Sequence, residues 1–255
     1  ILPGLINMHV HLAGSGKPQK KQRDNEKLVN TIMSTSLTRA IAYRMVAGFA
    51  KDELLSGVTT IRTVGGPGDF DTRLRDEIKA GTKIGPRILA SNQGISVPGE
   101  LKMPPEMVRA VCEKAHADGY LVAAHVESPE GVRVALENGV DSIEHGAKLT
   151  DEMVKLFKER GAFLCTTISP ALPYALFDRS ITNATKRSAE LTDIDSITGS
   201  IEKGKAADLI VTAQNPLKDL KALRNLEMVI SGGRFIEHPK IKKRKQVEAE
   251  LDKFL

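Results

Sequence analysis

Two histidines, one residue apart, follow a mostly apolar stretch at the beginning of this sequence. Residues 1–8 have the composition of a buried strand and lead into His9 and His11. Because side chains alternate across a strand, His9 and His11 should present their imidazoles on the same face. Two adjacent imidazoles are suitable ligands for one divalent metal. The alternative is a pair of structural histidines that bond backbone carbonyls or water, and this spacing alone does not exclude it.

Two further histidines end short stretches that are typical of buried strands later in the chain. Residues 122–124 lead into His125, and residues 141–144 lead into His145. Between them, a stretch with Pro129 near its start and Gly139 behind it is typical of a helix. Parallel strands joined by helices place their carboxyl ends on one face, where α/β barrels hold their active sites. We therefore predict a metal site formed by His9, His11, His125 and His145.

The elements that would position these histidines alternate between strand and helix patterns. A helix is predicted over Thr38 to Ser56, with Ile41, Met45 and Phe49 on its buried face and Gly57 as its stop. The next strand ends in a glycine cluster that lacks the context of a dinucleotide fingerprint or a phosphate-binding loop. We therefore interpret the cluster as a plain turn between a strand and a helix.

Length and composition suit one large α/β domain of a cytoplasmic protein, alone or with a small appendage. The 255 residues are 41% hydrophobic, with a formal net charge of +5, 4% aromatic residues and no Trp, so bases would find few stacking partners. No apolar run has membrane-spanning length and no secretory leader is visible. Cys112 and Cys165 fall in helix and strand patterns and are predicted to be buried thiols. The chain begins inside a predicted strand, so we expect the natural N-terminus to lie upstream.

Four motifs in order resemble one enzyme family. They are Pro3-Gly4-Leu5-Ile6 leading into the first histidine pair, Ala123-Ala124-His125, Ser142-Ile143-Glu144-His145-Gly146, and the stretch from Gly199 to Leu209. Together they resemble the metal-dependent amidohydrolases, in the branch related to imidazolonepropionase and to prolidase-like Xaa-Pro dipeptidases. The motifs span nearly the whole chain.

This resemblance implies the fold and the metal ligands. It implies an α/β fold with a (β/α)8 TIM-type barrel, incomplete in this sequence, and a small β-sandwich appendage. Residues 1–195 would form the barrel, 196–237 part of the sandwich, and 238–255 a charged C-terminal helix. It also implies one or two divalent ions, usually zinc. His9 and His11 would hold the first ion, and His125 and His145 the second.

The sequence departs from the family pattern in three places. Asn7 stands where many relatives have Asp, and Ile95 to Met103 lacks the strand that carries the family's carboxylated bridging lysine. The catalytic Asp after an eighth strand is also missing, and because the setting of Asp178 does not match, no catalytic residue is assigned. Only six barrel-type strands are predicted, whereas closure requires eight. We expect that stretches near Ile95–Leu101 and Ala175–Thr182 are absent from the sequence as given.

The implied activity is hydrolysis of a C–N amide bond in a small molecule or dipeptide by metal-activated water. A deaminase is less favoured, because Glu127 lies two residues after His125 and not three. The alternative is a non-catalytic relative that binds or assembles, which absence of the lysine and the aspartate would favour. A third hypothesis is a nucleic-acid-binding module. We expect a small-molecule or dipeptide substrate and no nucleic-acid or membrane partner. A homo-oligomer is possible on the sequence alone.

Overall fold

The computed structural model describes residues 1–14, 30–92, 94–95, 103–167, 181–241, 249 and 252. The chain forms two compact units. The first consists of Ile1–Gly94 together with Pro170–Leu255, and the second of Ile95–Ser169. Each unit contains a three-stranded parallel sheet flanked by helices. The structure therefore confirms the predicted α/β class.

The first unit opens with strands and helices in alternation. Its elements before the second unit are, in chain order, β1 (Leu2–Pro3), β2 (Leu5–Val10), α1 (Ser36–Leu55), β3 (Val58–Thr63), α2 (Phe70–Lys79) and β4 (Arg87–Leu89). Strands β2, β3 and β4 pair in that order, all parallel. Helix α1 packs against β3 and α2 against β4. Because the strands are parallel, their carboxyl ends lie along one edge of the sheet.

Helix α1 forms at the predicted place, but its buried face was predicted wrongly. Ile41 and Met45 were expected to be buried with Phe49, yet they are 55% and 54% exposed. Its buried residues are Tyr43, Val46, Ala50 and Leu54. Apolar residues at helical spacing occupy two sides of this helix, so periodicity alone offers two candidate faces. Packing against β3 selects one of them.

The second unit repeats the alternation of helices and strands. Its elements are α3 (Pro105–Ala117), β5 (Ala123–Val126), α4 (Pro129–Glu137), β6 (Ser142–His145), α5 (Asp151–Arg160) and β7 (Phe163–Cys165). Strands β5, β6 and β7 pair in that order, again all parallel. Ser128 and Thr150 cap α4 and α5 by accepting hydrogen bonds from the backbone N–H groups of Gly131 and Met153. These caps fix where each helix begins after its strand.

The rest of the first unit builds an antiparallel sheet. The remaining elements are a π-helical turn (Asn183–Arg187), α6 (Ser188–Leu191), β8 (Leu209–Thr212), a 3₁₀ helix (Leu220–Arg224), β9 (Leu226–Ser231) and β10 (Arg234–Glu237). The sheet order is β1-β8-β9-β10. Strands β9 and β10 form a hairpin, which Gly232 and Gly233 connect with φ of 55° and 81°. Strand β1 brings the first residues of the chain into this sheet.

All six predicted parallel strands are present, from β2 to β7. Closure into a barrel, the sandwich appendage and the division at residues 195 and 237 stay predictions. The two suspected omissions, Ile95–Leu101 and Ala175–Thr182, fall on residues outside the described part except at Ile95, Ile181 and Thr182. The predicted C-terminal helix also lies outside it, apart from residues 238–241, 249 and 252. Within the described residues, no helix is long and apolar enough to cross a membrane.

Candidate functional site

The first histidine pair lies at the carboxyl end of β2. His9 is the next-to-last residue of the strand and is half-buried, while His11 follows the strand and is exposed. Their ring centroids are 5.1 Å apart, with the ring planes at 74°. The predicted adjacency of the two imidazoles is therefore present, and both lie at the sheet edge where parallel α/β proteins place functional groups.

The ring of His11 is oriented by a backbone carbonyl. Its Nδ1 lies 3.0 Å from the carbonyl oxygen of Gly65. Because a carbonyl can only accept, Nδ1 donates, and Nε2 is the nitrogen that could coordinate a metal. This arrangement is common in metal-binding histidines, whose second nitrogen usually donates to a carbonyl or carboxylate. Gly65 adopts φ of 138°, and a Cβ there would come within 3.4 Å of the His11 ring, so the turn needs glycine at this position.

The second histidine pair connects β5 and β6. His125 Nδ1 lies 2.9 Å from His145 Nε2, and the ring centroids are 5.1 Å apart. His125 is in register with Glu144, so in a regular strand His145 would point to the opposite face of the sheet. His145 instead has φ of 68°. This left-handed backbone ends the strand alternation and turns the imidazole towards His125.

A hydroxyl group orients His145 as Gly65 orients His11. His145 Nδ1 lies 2.9 Å from Thr167 Oγ1, two residues beyond the end of β7. Thr167 also has a positive φ, of 48°. If Nδ1 donates to this hydroxyl, Nε2 keeps its lone pair on the side of His125.

These donors fit a divalent metal. At 2.9 Å apart, the facing nitrogens of His125 and His145 cannot both carry a proton. Two neutral imidazole nitrogens at this separation can both bind one cation. Zn–N bonds are about 2.0–2.1 Å long, so a single ion can lie at bonding distance from both nitrogens. The described residues of each unit thus offer one pair of imidazoles with chemistry suited to such an ion.

A buried carboxyl group lies on the same strand face as His125. Glu144 is fully buried, and its Oε1 accepts a hydrogen bond from the hydroxyl of Ser142. In the sheet it is in register with His125 on one side and Cys165 on the other. The second cysteine, Cys112, is buried in the core formed by α3, α4 and β6, and burial raises the pKa of its thiol. Cys112 is buried as predicted, whereas Cys165 is half-buried, and neither forms a disulfide within the described residues.

Sequence reasoning did not identify the groups that orient the histidines. Gly65 belongs to a glycine cluster interpreted as a plain turn, and the structure does place that turn between β3 and α2. Its carbonyl acts as a hydrogen-bond acceptor, which any residue type could supply. Thr167 was included in a predicted strand without a role. Its place just beyond the carboxyl end of a parallel strand is the signal that could have drawn attention to it.

The departure at Asn7 is explained by a contact across the first unit. The Asn7 amide nitrogen donates to Glu53 Oε2 on α1 at 3.5 Å, and its Oδ1 accepts from the backbone N–H of His9 at 3.3 Å. Burial raises the pKa of Glu53, although the Asn7 hydrogen bond opposes the rise. An aspartate at position 7 could accept from His9 but could not donate to Glu53. Asparagine therefore satisfies both neighbours.

We expect Asn7→Asp to destabilise the protein by about 2 kcal/mol at pH 8, because two half-buried carboxyl groups would then face each other without a donor between them. The raised pKa of Glu53 sets the sign of the pH dependence. The native state binds a proton more tightly there than the unfolded chain, so the deficit should shrink as the pH falls towards 5. Urea unfolding of both proteins at several pH values measures this difference in the free energy of unfolding. Gln214→Glu, which adds a carboxylate on the exposed surface, is the control and should show no such trend.

The comparisons with known proteins agree with the motifs. The model of the amidohydrolase family matches residues 1–102. The predicted resemblance to the amidohydrolases is confirmed. An uncharacterized protein of Mycobacterium tuberculosis is 38% identical over 63 residues, which is 25% of this chain and 17% of that protein. Ochratoxinase of Aspergillus niger is 29% identical over 99 residues, which is 38% of this chain and 20% of the enzyme. The chain thus matches less than a quarter of the length of these curated relatives.

The structural likeness extends over nearly the whole chain. A putative prolidase from Bifidobacterium longum superposes with a TM-score of 0.73 and 27% identity, covering 98% of this chain and 84% of the other. This amidohydrolase likeness implies a TIM-barrel-like α/β fold, in agreement with the parallel sheets of the two units.

Proposed function

We propose that this chain is a metal-dependent amidohydrolase that cleaves a C–N amide bond of a small molecule or dipeptide. His9 and His11 would hold one divalent ion, proposed to be zinc, and His125 and His145 a second. The observation that carries the proposal is the 2.9 Å approach of two imidazole nitrogens from adjacent strands. Such an approach is favourable when a cation lies between the lone pairs.

The residues of this chain would act by binding and orienting. The Gly65 carbonyl and the Thr167 hydroxyl fix the ring orientation of His11 and His145, so that one nitrogen of each ring is available as a ligand. When bound, a divalent ion supplies a water of lowered pKa, near 7, and polarises the substrate carbonyl. A carboxyl group must then bring a proton to the leaving nitrogen. The family resemblance assigns this role to an aspartate after an eighth strand, for which this sequence offers no matching residue.

The substrate class rests on the relatives. The Bifidobacterium structure is described as a putative prolidase, and the Aspergillus relative is an ochratoxinase. We propose that this chain likewise accepts a compact amide. A dipeptide with a C-terminal proline and an N-acyl amino acid are the two substrate types to compare.

Metal analysis and an amide-hydrolysis panel test the proposal. We expect the purified protein to contain one or two equivalents of a divalent metal. Exhaustive chelation should lower hydrolysis of the best substrate by more than about 100-fold, and re-addition of zinc should restore it. A protein that binds metal but hydrolyses none of the amides would support the non-catalytic alternative. A protein that binds no metal would overturn the proposal.

A further inference from the structure

Asp71 is a buried carboxyl group in the first turn of α2. The residue is 1% exposed, and its Oδ2 has no hydrogen-bond partner among the described residues. An acidic residue in a first helical turn commonly interacts with the helix dipole, but a solvent-exposed side chain serves that purpose. Burying a carboxyl group is costly unless its surroundings compensate. The position of this side chain therefore calls for a further explanation.

The Asp71 carboxyl group lies directly beneath the glycine turn. A Cβ built on Gly66 would come within 3.0 Å and 3.1 Å of its two oxygens. Burial raises the pKa of Asp71, whereas hydrogen bonds from the Thr63 hydroxyl and the Asn92 backbone, together with the nearby charge of His11, lower it. The carboxyl group thus fills the space between the end of β3, Asn92 three residues beyond β4, and the glycine turn.

Asn92 connects this carboxyl group to the turn. Its backbone has φ of 60°, a left-handed conformation that asparagine tolerates better than most residues. Its carbonyl accepts a hydrogen bond from Gly66 N–H at 2.7 Å, and its Oδ1 accepts from Thr72 N–H at 3.0 Å. One residue therefore binds both the glycine turn and the start of α2.

The chain of contacts ends at a proposed metal ligand. Gly66 is held by Asn92, and the preceding residue, Gly65, presents the carbonyl that accepts from His11 Nδ1. A shift of the turn would move this acceptor and release the ring. Hydrogen-bond partners of this kind typically change metal affinity by about 10–100-fold when they are removed.

We propose that Asp71, acting through Asn92 and the Gly65–Gly66 turn, is a positioning residue that holds His11 ready to bind metal. This inference rests on the proposed function. Asp71 does not touch the ion in this scheme; it fixes the acceptor that orients the ligand. Its carboxyl group also places negative charge close to the cationic site.

The test is Asp71→Asn, measured by competition of the protein with a chromophoric chelator for Zn²⁺. We expect the affinity for one ion to fall about 10–100-fold. The thermal midpoint of the metal-free protein should not fall, because the variant removes a buried charge without changing side-chain size. A merely structural role predicts the opposite pattern, a lower midpoint with unchanged zinc affinity. Asp76→Asn, on the exposed side of the same helix, should change neither quantity.

Asn92→Gly provides a second variant in case the first does not fold. Glycine keeps the left-handed backbone and the carbonyl that binds Gly66 but removes the Oδ1 that accepts from Thr72 N–H, so we expect a loss of zinc affinity relative to wild type. The ¹⁵N chemical shifts of the His11 ring in metal-free protein give a readout independent of the ion, and they should lose the Nδ1–H tautomer signature in Asp71→Asn. Unchanged affinity and tautomer would overturn this inference alone. A wild-type protein that binds no zinc would overturn the proposed function as well.

Discussion

Replacing His125 with alanine is expected to lower kcat/KM for the best amide substrate by about 10³-fold or more, a loss of ~4 kcal/mol in transition-state stabilisation. His125 faces His145 across 2.9 Å, so its removal would leave one strand without its ligand. The variant should also bind less metal, because one of the paired imidazoles is lost. Steady-state kinetics together with metal analysis of the same samples measures both effects.

His116→Ala is the matched control for that experiment. His116 belongs to the same unit, and its Nε2 lies 2.9 Å from Asp141 Oδ2, a contact that indicates a structural role. Its loss should cost about 1 kcal/mol of stability and leave metal content and kcat/KM unchanged. Full activity in His125→Ala, or equal losses in both variants, would contradict the assignment of His125 as a ligand.

The second large effect concerns stability, and we expect Asp208→Ala to destabilise the metal-free protein by about 3 kcal/mol. The Asp208 side chain is 1% exposed, and its Oδ2 accepts from Arg87 Nη2 at 3.1 Å. Its Oδ1 accepts from Gly232 N–H at 2.7 Å, and its backbone carbonyl accepts from Gly4 N–H at 2.8 Å. The residue thus links β4 of the parallel sheet to the hairpin turn of the antiparallel sheet.

The expected loss in Asp208→Ala is at the low end for a broken buried ion pair, because the Arg87 side chain is 34% exposed and can be partly hydrated. For a chain of this length, 3 kcal/mol corresponds to a fall of roughly 6–12 °C in the thermal midpoint. Urea unfolding without metal measures the free energy directly. Asp208→Asn should lose less, since an amide oxygen can still accept from Gly232. Asp195 is exposed, so the stability of Asp195→Ala should stay within about 0.5 kcal/mol of wild type. If Asp195→Ala lost as much stability as Asp208→Ala, the argument would be refuted.

Strand patterns predicted the elements well. Each of the six parallel strands is a short apolar or alternating segment bounded by polar or glycine residues. Such alternation and such bounding residues are local properties of the chain. The adjacency of His9 and His11 follows from the same local geometry, because residues i and i+2 of a strand share a face. The prediction of these elements needed no knowledge of their neighbours in space.

The buried face of α1 could not be predicted in this way. Residues at helical spacing on two sides of the helix are apolar, and local periodicity does not distinguish Ile41 and Met45 from Tyr43 and Val46. Burial of Tyr43 depends on Glu77 of α2, whose Oε2 accepts the Tyr43 hydroxyl at 2.7 Å. A partner 34 residues away therefore selects the face.

The sequence by itself determined which residue types could bind a metal and that each stands at the end of a strand. The tertiary structure decided how their rings are oriented: the left-handed backbone at His145 turns its imidazole to His125, and the Gly65 carbonyl, held by Asn92, aligns His11. The tertiary structure also explains the asparagine at position 7, because it places Glu53 of α1 where the Asn7 amide can donate to it. These contacts join residues 20 to 54 positions apart, and their geometry depends on sheet register and packing, which no local pattern encodes.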